Sequence, residues 1–281
     1  MIGTDVVEVL SVACLQGKGS IPVRVSGNGP PLLFLHSEIG LTWDNFLADL
    51  AANHTVYAPE FPGTAAGDAD AIHQYDDLLD VVLAYEEVVR TLGLERAVVI
   101  GHSFGGMLAA ELASVFPELF SGVVLIDAFG LWSNTDPTSS ALMAGPYERL
   151  REVLFHDPHC AAAQSMCIPT VDADDALDRA AACIWAVGCA AKFLWPIPER
   201  GLAKRLHRIT APTLIVWGAQ DAVVPVVYAS RFADHIAGSR VQIIDSCGHI
   251  PQLEQEAQTV AAVGAFLAEL VQVPNPLNNG G

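Results

Sequence analysis

The sequence predicts an α/β protein with a mainly parallel sheet, and three observations carry that expectation. Short apolar runs bounded by turn residues recur along the 281 residues, with helical stretches between them. Hydrophobic residues make up 52% of the chain and charged residues 16%, which excludes extended disorder and supplies a sizeable core. The strand pattern vanishes between Asp136 and Arg208 and resumes at Ala211-Pro212-Thr213, so a helical segment interrupts one sheet.

Strands are expected at Val6–Val12, Ile21–Val25, Leu32–Leu35, Thr55–Ala58, Ala97–Ile100, Gly122–Ile126, Thr213–Trp217 and Val241–Ile244. The first two have no helix between them and should form an antiparallel lead-in. Leu, Val and Ala recurring at three- and four-residue intervals predict helices at Trp43–Ala52, Tyr75–Leu92, Phe104–Phe116, Val226–Ile236 and Gln252–Val271. Between residues 136 and 208 the chain is Ala-rich and helical in pattern, and Pro137, Pro146, Pro158, Pro169, Pro196 and Pro198 should cut it into short helices. The expected organisation is a core in two parts, residues 1–135 and 209–273, a helical cap at 136–208, and a disordered tail at 274–281.

Charge narrows the function. Thirty-two acidic against 14 basic residues give a formal net charge of −18, a field that repels phosphate backbones and anionic lipid headgroups. Nucleic acid and membrane are therefore unexpected partners, and a small molecule is the expected one. No uncharged run reaches the roughly 18 apolar residues of a membrane helix. The first residues, Met-Ile-Gly-Thr-Asp-Val-Val-Glu, lack the basic stretch of a secretory leader, which favours the cytoplasm. Cys14, Cys160, Cys167, Cys183, Cys189 and Cys247 contain no C-x-x-C pair and read as reduced, buried thiols. No metal and no cofactor is expected, and the oligomeric state is open.

Chemistry concentrates at Ala97-Val-Val-Ile-Gly-His-Ser-Phe-Gly-Gly106, where an apolar strand runs through G-x-S-x-G into an apolar helix. Gly101 and Gly105 leave room for a tight strand-to-helix turn that presents Ser103 at the helix N-terminus. A serine hydroxyl needs a base, and His249 lies in a glycine-containing loop between a strand and a helix, in Asp245-Ser-Cys-Gly-His-Ile-Pro251. The imidazole in turn needs a carboxylate to fix its tautomer. Asp221, in Gly218-Ala-Gln-Asp221 after the strand Thr213–Trp217, is preferred. Asp127, directly after the strand ending at Ile126, is the rival. Cys247 has no comparable turn around it and reads as a packing thiol.

These motifs, with Leu35-His36 and Ala58-Pro-Glu-Phe-Pro-Gly63, occur in an order that resembles the α/β-hydrolase fold superfamily over roughly residues 20–270. The resemblance implies a mostly parallel eight-stranded sheet flanked by helices, a helical cap, and a catalytic triad of Ser103, Asp221 and His249. A serine at the turn sets the chain apart from haloalkane dehalogenases and epoxide hydrolases, which carry aspartate there. The departure is His36-Ser37-Glu38, where relatives read His-Gly-x. By position the backbone N–H groups of Glu38 and Phe104 would form the oxyanion hole, each such donor stabilising the developing charge by about 3 kcal/mol. An ionised Glu38 facing that charge would oppose catalysis, so its side chain is expected to turn away to a donor, or else to contact a substrate amine or hydroxyl.

Trp132, Trp185, Phe193 and Trp195 are candidates for an apolar acyl or aryl pocket under the cap, with Ser37 at the oxyanion loop. The leading functional expectation is a serine esterase acting on a small, mostly apolar carboxylic ester through an acyl-enzyme on Ser103. One alternative is hydrolytic carbon–carbon cleavage of a diketone by the same triad; such relatives hold the substrate carboxylate with a cap arginine. The other is a non-catalytic ligand-binding scaffold.

Overall fold

The computed structural model describes residues 7–139, 149–166 and 176–272. Cys167, the cap stretches 140–148 and 167–175 and the tail at 274–281 lie outside them. Eight strands, β1 (Glu8–Cys14), β2 (Gly19–Ser26), β3 (Pro31–Leu35), β4 (Thr55–Pro59), β5 (Ala97–His102), β6 (Phe120–Ile126), β7 (Thr213–Gly218) and β8 (Arg240–Ile244), form one sheet in the order β1-β2-β4-β3-β5-β6-β7-β8. β2 runs antiparallel to both its neighbours, and β3 to β8 pair in parallel. The lead-in is antiparallel, its strands joined by one short 3-10 turn at Leu15–Gly17.

Alternation along the central strands divides the core into two layers. Leu33, Leu35, Val99, Val123, Leu125, Ile215 and Trp217 pack on one face with α2 (Leu78–Thr91) and α3 (Phe104–Val115). Leu32, Phe34, Val98, Ile100, Val124, Ile126, Leu214 and Val216 pack on the other with α1 (Asn45–Ala51) and α9 (Glu256–Gln272). Burial on both faces is what allows these strands to be uninterrupted apolar runs.

Helix ends follow their caps rather than the apolar period. α2 starts at Leu78, not Tyr75, because Asp77 accepts from the N–H groups of Leu79 (2.8 Å) and Asp80 (3.1 Å) while Asp80 reaches back to the Asp77 N–H. The single helix expected at Gln252–Val271 is two, α8 (Pro251–Glu254) and α9, with non-helical backbone at Gln255 (φ −127°, ψ 52°) between them.

Among the described residues between β6 and β7 lie α4 (Leu150–Leu154), α5 (Ala161–Ser165), α6 (Ala176–Leu194) and short 3-10 turns at Leu202–Lys204 and Leu206–Arg208; α7 (Val227–His235) follows β7. α6 runs for 19 residues, so this part of the cap is not the series of short helices expected. No proline falls between Pro169 and Pro196, and the helix continues until Pro196 stops it. The segment is anchored to the core by Arg205, whose Nε and Nη2 reach both oxygens of the buried Glu111 on α3 (3.0 and 2.6 Å). Trp185 Nε1 donates to Gly63 O after β4 (2.8 Å), and Leu154 O accepts from the N–H of His249 after β8 (2.8 Å), so the insert packs on the C-terminal ends of the parallel strands. No helix among the described residues is long and apolar enough to cross a membrane.

Candidate active site

The turn from β5 into α3 is sharp enough to hold Ser103 at φ 55°, ψ −115°. A non-glycine residue there costs about 1–3 kcal/mol and persists only where its surroundings over-determine it. They do: the Ser103 N–H donates to Ile126 O (2.9 Å), and its carbonyl accepts from Met107 N and Phe129 N (3.1 Å each). A Cβ on Gly101 would stand 2.2 Å from Gly105 O, and one on Gly105 2.0 Å from Leu35 O, so both positions require glycine.

His249 arrives on a loop fixed on every side. Cys247 N donates to Gln220 Oε1 (2.9 Å), Gly248 N to Glu254 Oε2 (2.6 Å) and His249 N to Leu154 O, while His249 O accepts from His102 Nε2 (2.7 Å). Asp221 Oδ1 takes the N–H groups of Val223 (2.7 Å) and Val224 (2.9 Å), leaving Oδ2 to face His249 Nδ1 at 2.8 Å. The imidazole then presents Nε2 to Ser103 Oγ at 2.7 Å. Burial works against a charged imidazole, but the Asp221 carboxylate and, beyond it, the Glu38 charge outweigh that and hold the His249 pKa above its ordinary value.

Asp127 lies close by but is wired differently. Its backbone is left-handed (φ 43°), Oδ1 accepts from Gly218 N (2.9 Å), and Oδ2 has no hydrogen-bond partner. Burial first, and the Asp221 charge second, push its carboxyl well above the usual range.

Sequence reasoning missed His102, Gln220, Gln252 and Glu254. His102 gives Nε2 to His249 O and takes Gln252 Nε2 on Nδ1 (3.0 Å); burial lowers its pKa to about 3, so it stays neutral. Its place next to Ser103 was a signal; Gln220, which meets Cys247 N across the fold, Gln252, which meets His102, and Glu254, which takes the Gly248 N–H, carry no motif of their own.

The oxyanion loop departs from expectation. His36 receives the Phe61 N–H on Nε2 (2.9 Å) and donates from Nδ1 to Ser37 O (2.7 Å), remaining neutral with a pKa lowered to about 4, chiefly by burial. Glu38 does not turn away: Ser103 Oγ donates to its Oε2 at 2.6 Å, and its Oε1 is buried without a partner. Among the described residues, the backbone N–H groups of Glu38 and Phe104 donate to no backbone carbonyl of a loop or cap.

Two cavities flank this cluster. One, of about 390 Å³, is walled by Phe129, Trp132, Leu194, Trp195, Pro196 and Pro198; the Phe129 ring lies 6.0 Å from the His249 ring. The other, of about 150 Å³, is walled by His36, Ser37, Ile39, His102, Met166 and Ile250, among others. Ser103, fully buried, lines neither. Trp132, Trp195 and Ser37 thus line the two cavities that flank the cluster, whereas Trp185 and Phe193 line neither of these, Phe193 facing a more distant one. Trp185 is held at the insert–core seam by its bond to Gly63 O, and Phe193 packs edge-on against Phe61. A larger cavity of about 510 Å³, between α2, α3 and the insert, contains none of the residues near Ser103.

The α/β-hydrolase fold family model matches residues 30–256. The 2-hydroxymuconate semialdehyde hydrolase of Pseudomonas sp. strain CF600 is 29% identical over 87% of this chain and 89% of its own. Among solved structures, a meta-cleavage product hydrolase from Pseudomonas fluorescens IP01 superposes with a TM-score of 0.72 at 22% identity, over 92% of this chain and 97% of its own. The esterase RhEst1 from Rhodococcus sp. ECU1013 superposes at 0.70 and 22% identity, over 93% and 99%. With the family model matched over most of its length, this chain belongs to the α/β-hydrolase fold family.

Proposed function

We propose that this protein is a serine hydrolase that cleaves a small, mostly apolar carboxylic ester through an acyl-enzyme on Ser103. The observation that carries the proposal is the unbroken run of contacts from Ser103 Oγ through the His249 imidazole to Asp221 Oδ2. Oγ attacks the ester carbonyl as His249 Nε2 takes its proton, and the backbone N–H groups of Glu38 and Phe104 receive the developing oxyanion. The imidazolium then protonates the departing alkoxide, and water opens the acyl-enzyme. No step calls on a metal or a cofactor.

Charge favours an uncharged ester over a carboxylate-bearing diketone. Neither flanking cavity contains a Lys or Arg, and Arg205 and Arg200 are engaged with Glu111 and with the carbonyls of Phe193 and Trp195. Among the described residues, the charged group a substrate carboxylate would meet against Ser103 Oγ is the Glu38 carboxylate, which repels it. The test is a fluorophosphonate probe together with a chain-length series of p-nitrophenyl esters and one carbon–carbon cleavage substrate. Ser103 should be labelled, the label should be lost in Ser103→Ala, and an ester should be the better substrate. A folded, unlabelled wild type would instead make the protein a ligand-binding scaffold, and faster carbon–carbon cleavage would make it a diketone hydrolase.

A further inference from the structure

Ser103 Oγ stands between two acceptors. Glu38 Oε2 is 2.6 Å away and His249 Nε2 is 2.7 Å away. A hydroxyl carries one proton and gives it to one acceptor at a time, so at rest Glu38 holds it and for the attack it must turn to His249 Nε2. Glu38 is almost fully buried, its Oε1 has no partner, and neither flanking cavity offers it a cation. The neighbouring imidazoles are committed, His36 to Ser37 O and Phe61 N, His102 to His249 O and Gln252. Among the described residues, the hydrogen bond that Glu38 accepts through its side chain is therefore that of the Ser103 hydroxyl.

Acylation removes that hydroxyl. Once Oγ becomes an ester oxygen it has no proton to give, and a buried carboxylate is left with both oxygens unsatisfied, a costly condition that a single water relieves. The carboxylate lies one hydrogen bond from Oγ, and the ester carbon is bonded to Oγ, so a water held by Glu38 adjoins the carbon it must attack.

Resting on the serine-hydrolase reading, we propose that Glu38 is a second catalytic base, responsible for the half of the reaction that hydrolyses the acyl-enzyme. As the water oxygen bonds to the ester carbon, Glu38 accepts the water proton and becomes neutral. When the tetrahedral adduct collapses and the carbon–Oγ bond breaks, the same proton passes to Oγ, which regenerates the hydroxyl and the carboxylate. The acid product leaves with the water oxygen. Negative charge moves from Glu38 to the oxyanion as the adduct forms, so the carboxylate does not oppose the charge beside it. His249 serves the first half of the reaction and Glu38 the second.

The test is Glu38→Gln, nearly isosteric, assayed by stopped flow with p-nitrophenyl acetate. Labelling of the variant by a fluorophosphonate, which needs only the first half-reaction, should proceed within a few-fold of wild type. The release of p-nitrophenol should show a burst near one equivalent, followed by turnover slower by on the order of 10²–10⁴-fold. Mass spectrometry should find an acetyl group on Ser103, and hydroxylamine, a nucleophile with less need of a base, should speed its removal. Unchanged turnover would overturn the proposal, as would a loss of labelling and burst together in the variant. Absence of labelling in wild type would instead remove the serine-hydrolase reading on which the proposal stands.

Discussion

The ends of β6 and β7 are adjacent, both carry a buried aspartate, and the two carboxyls and His249 offer atoms within 4.8 Å of one another. Yet Asp221 collects two backbone N–H groups and the imidazole, while Asp127 collects one N–H and leaves an oxygen bare. Asp221 stands 2.8 Å from the imidazole and Asp127 makes no bond to it, and the count of donors differs in the same direction. Burial and the carboxylate beside it push the Asp127 carboxyl well above the usual range, and its single donor does little to offset them. Like charges so close cannot both persist, and the loop Gly218–Val224 decides which does.

That contrast can be broken in several ways. Removal of what the charged acid serves has the largest effect: Ser103→Ala or His249→Ala should each lower kcat about 10⁵–10⁶-fold in steady-state ester assays, and the double variant little further. Losses that multiply would show that the two do not act as a unit. Asp221→Asn should follow at about 10⁴-fold, because the amide presents the wrong partner to Nδ1. Asp127→Asn, which swaps one neutral group for another and keeps an oxygen for Gly218 N, should cost at most about tenfold, the equivalent of one hydrogen bond. Were the two results exchanged, the charged acid would be Asp127.

Stability sharpens the same contrast. A carboxyl whose folded pKa is raised stabilises the protein fully below its unfolded value near 4, and that contribution is lost as pH rises. Denaturant titrations across pH 4–8 should therefore show wild type losing stability relative to Asp127→Asn by up to about 1.4 kcal/mol per pH unit while the native acid holds its proton. A parallel pair of curves would mean that Asp127 is ionised. The smallest expected effect is a shift in the pH profile. With His249 held above its ordinary value, the acid limb of kcat/KM should lie above about pH 6.5 and move down in Glu38→Gln, which removes one of the charges that raise it.

Much of this was legible in the sequence for a physical reason. Strands buried on both faces are apolar runs, so β3, β5, β6 and β7 announce themselves, and the glycines flanking Ser103 mark a turn that admits no Cβ. Both acids were visible as residues following strands. What separates them was not, because donors such as the Val223 and Val224 N–H groups belong to loop geometry. Glu38 was misread for a related cause. Charge repulsion from an oxyanion predicts a side chain turned away, but in the resting site the nearest donor is the serine itself. Trp185 and Phe193 showed the same ambiguity, since an aromatic of the insert packs equally well in a seam or around a cavity.

The bond from the His249 N–H to Leu154 O has a consequence for measurement. One end lies on the base and the other on an insert helix, so this amide proton meets solvent only when α4 releases it. Its hydrogen-exchange rate therefore reads the free energy of undocking α4 from the loop of His249, separately from global unfolding. A ligand that binds only the docked form slows that exchange by the factor 1 + [L]/Kd, so titrating candidate substrate analogues against this one amide ranks their affinities without a turnover assay.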